Sequence, residues 1–169
     1  MIFRRRDHCE IIDGIAVCGG DEFRARTRES IFLLKKTAAF AIIRSHLKTI
    51  RQGRRSGVKA WARRPAFVAG RATWQHSPLW YAGAIAHDAY HVKLYHAAKR
   101  TTAGAEPEAN TWTGVAAERK CLKFQYQVLQ ALNGDDSILD HIARCFENPD
   151  YQGRIRGLGS WLDYLERWW

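Results

Sequence analysis

The sequence predicts a mixed α+β fold in one domain (residues 1–169), mostly helical, with an N-terminal β-hairpin and a small sheet ahead of a central helix. Three observations carry this expectation. Cys9–Cys18 has the pattern of a hairpin about Asp13-Gly14. Ser77-Pro78 opens a long and largely apolar helical stretch. The 169 residues, 46% hydrophobic and 26% charged, match an ordinary globular chain with a core of useful size.

The elements follow in order. In Cys9-Glu10-Ile11-Ile12-Asp13-Gly14-Ile15-Ala16-Val17-Cys18, counting outward from the turn pairs Ile12 with Ile15, Ile11 with Ala16, Glu10 with Val17 and Cys9 with Cys18. The last pair is of the non-hydrogen-bonded type, within disulfide reach. Cys121 and Cys145 can be buried apolar residues or a second pair. From Asp21 to Gln52, Ile31, Leu34, Ala38, Ala41, Ile42 and Leu47 recur mostly at steps of three and four, so one helix is expected, ending in a basic loop over Gly53–Gly57. Val58–Trp61 and Ala66–Trp74 read as short strands bounded by Pro65 and Gly70. A helix from about Leu79 to Lys99 is followed by a polar loop, Thr101–Asn110. Two further helices are expected over Thr113–Leu132 and Ser137–Glu147. A Gly-rich connection (Asn148–Gly159) and a helix from Ser160 through Trp169 complete the helical tail, in which Trp161, Trp168 and Trp169 are read as packing residues.

No apolar run approaches the roughly 18 residues of a membrane span. Met1-Ile2-Phe3-Arg4-Arg5-Arg6 leads into Asp7 and His8 rather than into an apolar stretch, unlike a signal peptide. The expectation is a cytoplasmic protein, or an exported one if Cys9 and Cys18 are bonded. The formal net charge is +10. Between Glu29 and Asp88 there is no acidic residue, while Lys35, Lys36, Arg44, Lys48, Arg51, Arg54, Arg55, Lys59, Arg63, Arg64 and Arg71 all fall there. Such a block is a solvated face or a site for an anionic partner. No zinc-finger, KH, RRM or helix-turn-helix signature accompanies it.

The chemistry concentrates in His87-Asp88-Ala89-Tyr90-His91. Residues at i and i+4 stand on one helix face with about 5–6 Å between Cβ atoms, which suits two imidazoles closing on one ion. On the next long helix, Cys121, Leu122, Val128, Leu129 and Leu132 form an apolar side with Glu118 in its middle and Gln125 nearby. A carboxylate facing a core needs a partner. Two His and one Glu, with one position open to water, make the donor set of a catalytic zinc site.

Ala86-His87-Asp88-Ala89-Tyr90-His91 followed by Ala117-Glu118-Arg119-Lys120-Cys121 resembles the zincin metallopeptidases of the gluzincin type, whose motif helix carries HExxH and whose later helix supplies a Glu. The likeness covers roughly Ala66 to Leu132. It implies a zincin-like domain and one Zn2+ ion held by His87, His91 and Glu118. It also implies Asp88 as general base and a peptide or protein substrate. Asp88 stands where the family has Glu and is one methylene shorter. Tyr90, Tyr95 and Tyr126 are candidates to stabilise an oxyanion.

Two alternatives remain open at this stage. His46, His87, Asp88 and Asp140 occur in the order used by the HD phosphohydrolases, whose substrates a basic block would suit. The third reading is a non-catalytic, basic zincin-like module binding nucleic acid or protein.

Overall fold

In the computed structural model, which describes residues 8–147, Asp13 and Gly14 both take left-handed backbone conformations (φ 49° and 88°). That geometry turns strand β1 (Cys9–Ile12) back onto β2 (Ile15–Cys18) in the register counted from the sequence. Cys9 and Cys18 close a disulfide. The expected connection over 148–159, the helix through Trp169 and the basic opening Met1–Arg6 lie outside the described residues.

The single helix expected over Asp21–Gln52 is three elements. Helix α1 (Asp21–Leu34) ends where Thr37 bends back to bond the Leu34 carbonyl at 2.8 Å, and α2 (Ala39–His46) resumes from there. Thr49–Gln52 is strand β3, with Ile50 fully buried. It lies parallel to both β2 and a later strand, Ala66–Ala69. The steps of three between apolar residues are real, but the sheet takes the last of them. Gly20 stands at the cap of α1, and the Asp21 carboxylate pairs with Arg24 in the first turn.

The stretch expected as one strand, Ala66–Trp74, divides at Gly70. Strand β5 (Ala66–Ala69) ends there, and a short helix, α3 (Arg71–Trp74), begins. A Cβ on Gly70 would sit 2.9 Å from the Ser56 nitrogen, so the crossing tolerates only glycine without rearrangement. The strand expected at Val58–Trp61 is β4 (Gly57–Lys59), antiparallel to β5 at the sheet edge. The five-stranded sheet runs β1-β2-β3-β5-β4.

Helix α4 (Pro78–Thr101) starts as its residues dictate, with Pro78 at the first position and the Ser77 hydroxyl accepting the Trp80 N–H at 3.1 Å. Its 24 residues span about 36 Å and pack against α1, α2 and α3, and against the two helices that follow. Tyr81, Ile85, Ala86, Ala89 and Val92 are fully buried, which accounts for the nearly continuous apolar sequence. The Tyr81 hydroxyl meets Thr27 of α1 at 3.0 Å, and Ser30 donates to the Pro78 carbonyl at 2.9 Å, so the polar groups on the inner face of α1 are satisfied.

A short helix, α5 (Asn110–Thr113), leads into α6 (Val115–Ala131), and α7 (Asp136–Glu147) closes the described chain. Among the described residues, no helix is long and apolar enough to cross a membrane. Cys121, buried on α6, and Cys145 on α7 are not bonded to one another.

Candidate metal centre

Helices α4 and α6 pack antiparallel, and their contacts step by one turn on each. A Cβ at Gly83 would lie 3.1 Å from the Leu129 side chain, so the helices approach closely there. One turn on, His87 meets Gln125. One turn further, His91 meets Cys121. The sequence spacing 83, 87, 91 thus runs against 129, 125, 121. This packing carries Glu118, three residues before Cys121, to the histidines.

The convergence is tight. Nε2 of His91 is 2.9 Å from Oε1 of Glu118, and Nε2 of His87 is 3.2 Å from Oε2. The two Nε2 atoms are 3.1 Å apart. Behind the rings, Nδ1 of His91 donates to the Trp112 carbonyl at 2.7 Å, and Nδ1 of His87 donates to Oε1 of Gln125 at 3.0 Å. Each Nδ1 therefore carries the hydrogen of the neutral ring, and each Nε2 presents its lone pair.

Two imidazole lone pairs and two carboxylate oxygens then face one another. Acceptors so placed repel unless positive charge lies among them. A second proton on an imidazole meets that demand, and so does a metal ion. The titration behaviour states the same need. Burial works against a charged ring at His91, but hydrogen bonds with Cys121 and Glu118 carry its pKa well above the usual value. Burial would raise Glu118, yet its bonds to His87 and His91 hold it well below the usual carboxylate range.

The donors fit an ion. Zinc-like bonds of about 2.0–2.2 Å set tetrahedral ligand separations near about 3.4 Å, a few tenths beyond the distances observed. His91, Glu118 and Gln125 are nearly inaccessible to solvent, at 5%, 2% and 2% exposure, while His87 is half-buried and is the more open side of the centre. Cys121, fully buried, brings its sulfur within 4.8 Å of a ring nitrogen of both histidines, so that His87, His91 and Cys121 form a group that can hold a metal ion. The sequence reading took Cys121 for packing or for a disulfide. Its position three residues after Glu118, on the same apolar face, is the signal that could have found it.

Asp88 is half-buried beside these groups. Burial raises its carboxyl pKa, the charges of His87 and His91 work against the rise, and Glu118 adds to it. The Tyr95 hydroxyl donates to Glu106 at 2.7 Å and the Tyr90 ring lies against Phe124. His46 does not join the centre: it pairs with His96, Nδ1 to Nδ1 at 3.2 Å, nine residues or about 13 Å along α4 from His87. His96 is accordingly half-buried, and Asp140 is exposed on α7.

No family model matches the chain, and neither a curated protein nor a solved structure matches it. The centre is therefore read from its own geometry.

Proposed function

We propose that the protein is a zinc-dependent hydrolase of peptide or amide bonds, with His87, His91 and Glu118 as ligands and Asp88 as general base. The observation that carries this reading is the meeting of two Nε2 lone pairs with a buried carboxylate, each ring tied off at Nδ1. The reading rests on a helix bearing both histidines packed against a helix bearing the carboxylate.

Zinc in such a site lowers the pKa of a water towards about 7 and polarises a carbonyl. Gln125 and the Trp112 carbonyl fix the ring planes, so the histidines need no reorientation to bind. Asp88 takes the water's proton as the oxygen attacks the carbonyl carbon, and returns it to the departing amine. A carboxyl raised by burial is suited to that second transfer. Nitrogen and oxygen donors with a thiol close by favour zinc over magnesium or calcium. The Cys9–Cys18 disulfide supports an oxidising compartment.

The test is elemental analysis with hydrolysis of a fluorogenic peptide mixture. Zinc is expected at one ion per chain and lost in His87→Ala and Glu118→Ala. Asp88→Asn is expected to keep the ion and lose about 10²–10⁴-fold in rate. Undiminished turnover by Asp88→Asn, or by chelated protein, overturns the reading.

An anionic partner is supported separately by the basic block, in which every cation except half-buried Lys48 is exposed. Binding to a polyanion that weakens steeply with added salt is the expected outcome. Salt-independent binding would remove this part of the proposal.

A further inference from the structure

Cys121 is fully buried on α6, one turn beyond Glu118 and opposite His91. On the same helix Leu122, Val128 and Leu129 are buried as an apolar seam. What sets Cys121 apart is its surroundings: a ring nitrogen of each histidine lies within 4.8 Å of the sulfur. Metal–sulfur bonds of about 2.3 Å alongside metal–nitrogen bonds of about 2.0 Å need sulfur–nitrogen separations of roughly 3.5 Å, inside that limit.

Resting on the zinc reading above, we propose that the Cys121 sulfur is the fourth ligand of the ion. On binding, the thiol gives its proton to solvent and the sulfur lone pair forms the metal–sulfur bond, leaving a donor set of two nitrogens, one oxygen and one sulfur. The resting centre is then closed. A water would then join the ion only as a further ligand or in place of one of these donors. A cysteine kept only for packing would leave the fourth position to water.

Cobalt reports the difference because sulfur ligation adds a thiolate-to-cobalt charge-transfer absorption in the near ultraviolet. The protein is prepared without thiol reductant, which keeps Cys9–Cys18 bonded, and is loaded with equimolar Co2+. The band is expected in the native protein and in Cys145→Ser. It is expected to be lost in Cys121→Ser, which keeps the visible bands of bound cobalt.

Because the four cysteines comprise the disulfide pair, Cys121 and Cys145, a band that survives in Cys145→Ser identifies Cys121 even if Cys121→Ser fails to fold. Cobalt bound without the band overturns the inference and leaves the His, His, Glu centre standing. A band that persists in Cys121→Ser overturns it equally. Failure of the native protein to bind cobalt sinks both readings.

Discussion

Gln125 illustrates how one residue's burial can be explained only by another's chemistry. An amide at 2% exposure on an apolar helix face loses hydration that it must recover, and His87 Nδ1 provides the bond. Gln125→Leu keeps the volume and removes the acceptor, so helix content is expected to stay while zinc affinity falls about 10–100-fold in chelator competition. His46 and His96 make a different prediction. Both pKa values are lowered, by burial first. His46 then feels His96, Lys93, Arg100 and Lys48, and His96 feels Arg100, Lys99 and Lys48. Below the usual value of 6.5 the unfolded chain takes up protons that the folded pair resists, so this contribution to stability is lost as pH falls through and below 6.5. Melting temperatures between about pH 7.5 and about pH 5.5 are expected to drop more in the native protein than in His96→Gln. At this scale Glu118 and Gln125 were legible from sequence, because a polar side chain on an apolar helix face calls for a partner. Cys121 was not, since a thiol blends into an apolar pattern.

The ladder between α4 and α6 depends on small rungs as much as on reactive ones. Gly83 lets Leu129 come close: a Cβ there already crowds the Leu129 side chain, and a larger, branched side chain presses on α6 just one turn from His87. Gly83→Val is expected to destabilise the fold by about 1–3 kcal/mol in urea titration. It is also expected to weaken metal binding, since the carboxylate rides on the displaced helix. A variant with unchanged metal affinity would show that the ladder does not set the ligand spacing. The hairpin and α4 were readable because each carries local start and stop chemistry: Asp13-Gly14 for one, Ser77-Pro78 for the other. Strand β3 was not. Its partners are β2 and β5, at Ala16 and Ala66, and such distant parallel pairing leaves no local mark. Leu47, at the end of α2, and Ile50, in β3, are three apart, which a helix would equally favour. Gly70 was seen as a break, but the helix on its far side is only four residues long, too short for periodicity to register.

For the molecule as a whole, the general class was legible from sequence, while the connections of the sheet were not. A mixed α+β domain follows from one hairpin, apolar helices and length. The parallel crossover through α1 and α2 depends on packing between segments far apart in the chain. The centre sits between α4 and α6, the pair of elements in the most extensive contact, and α4 also touches α1, α2, α3 and α5. An ion bound only by the folded state adds about 2.7 kcal/mol of stability at a hundredfold excess over its dissociation constant. Thermal unfolding is therefore expected to shift upward with zinc and back with chelator, and Glu118→Ala is expected to abolish the shift. In α4 the spine of the molecule and the proposed grip on a metal are the same helix. On the proposed reading, starving a cell of that metal would do more than silence the protein: unloaded copies would open more often, be degraded sooner, and become scarce.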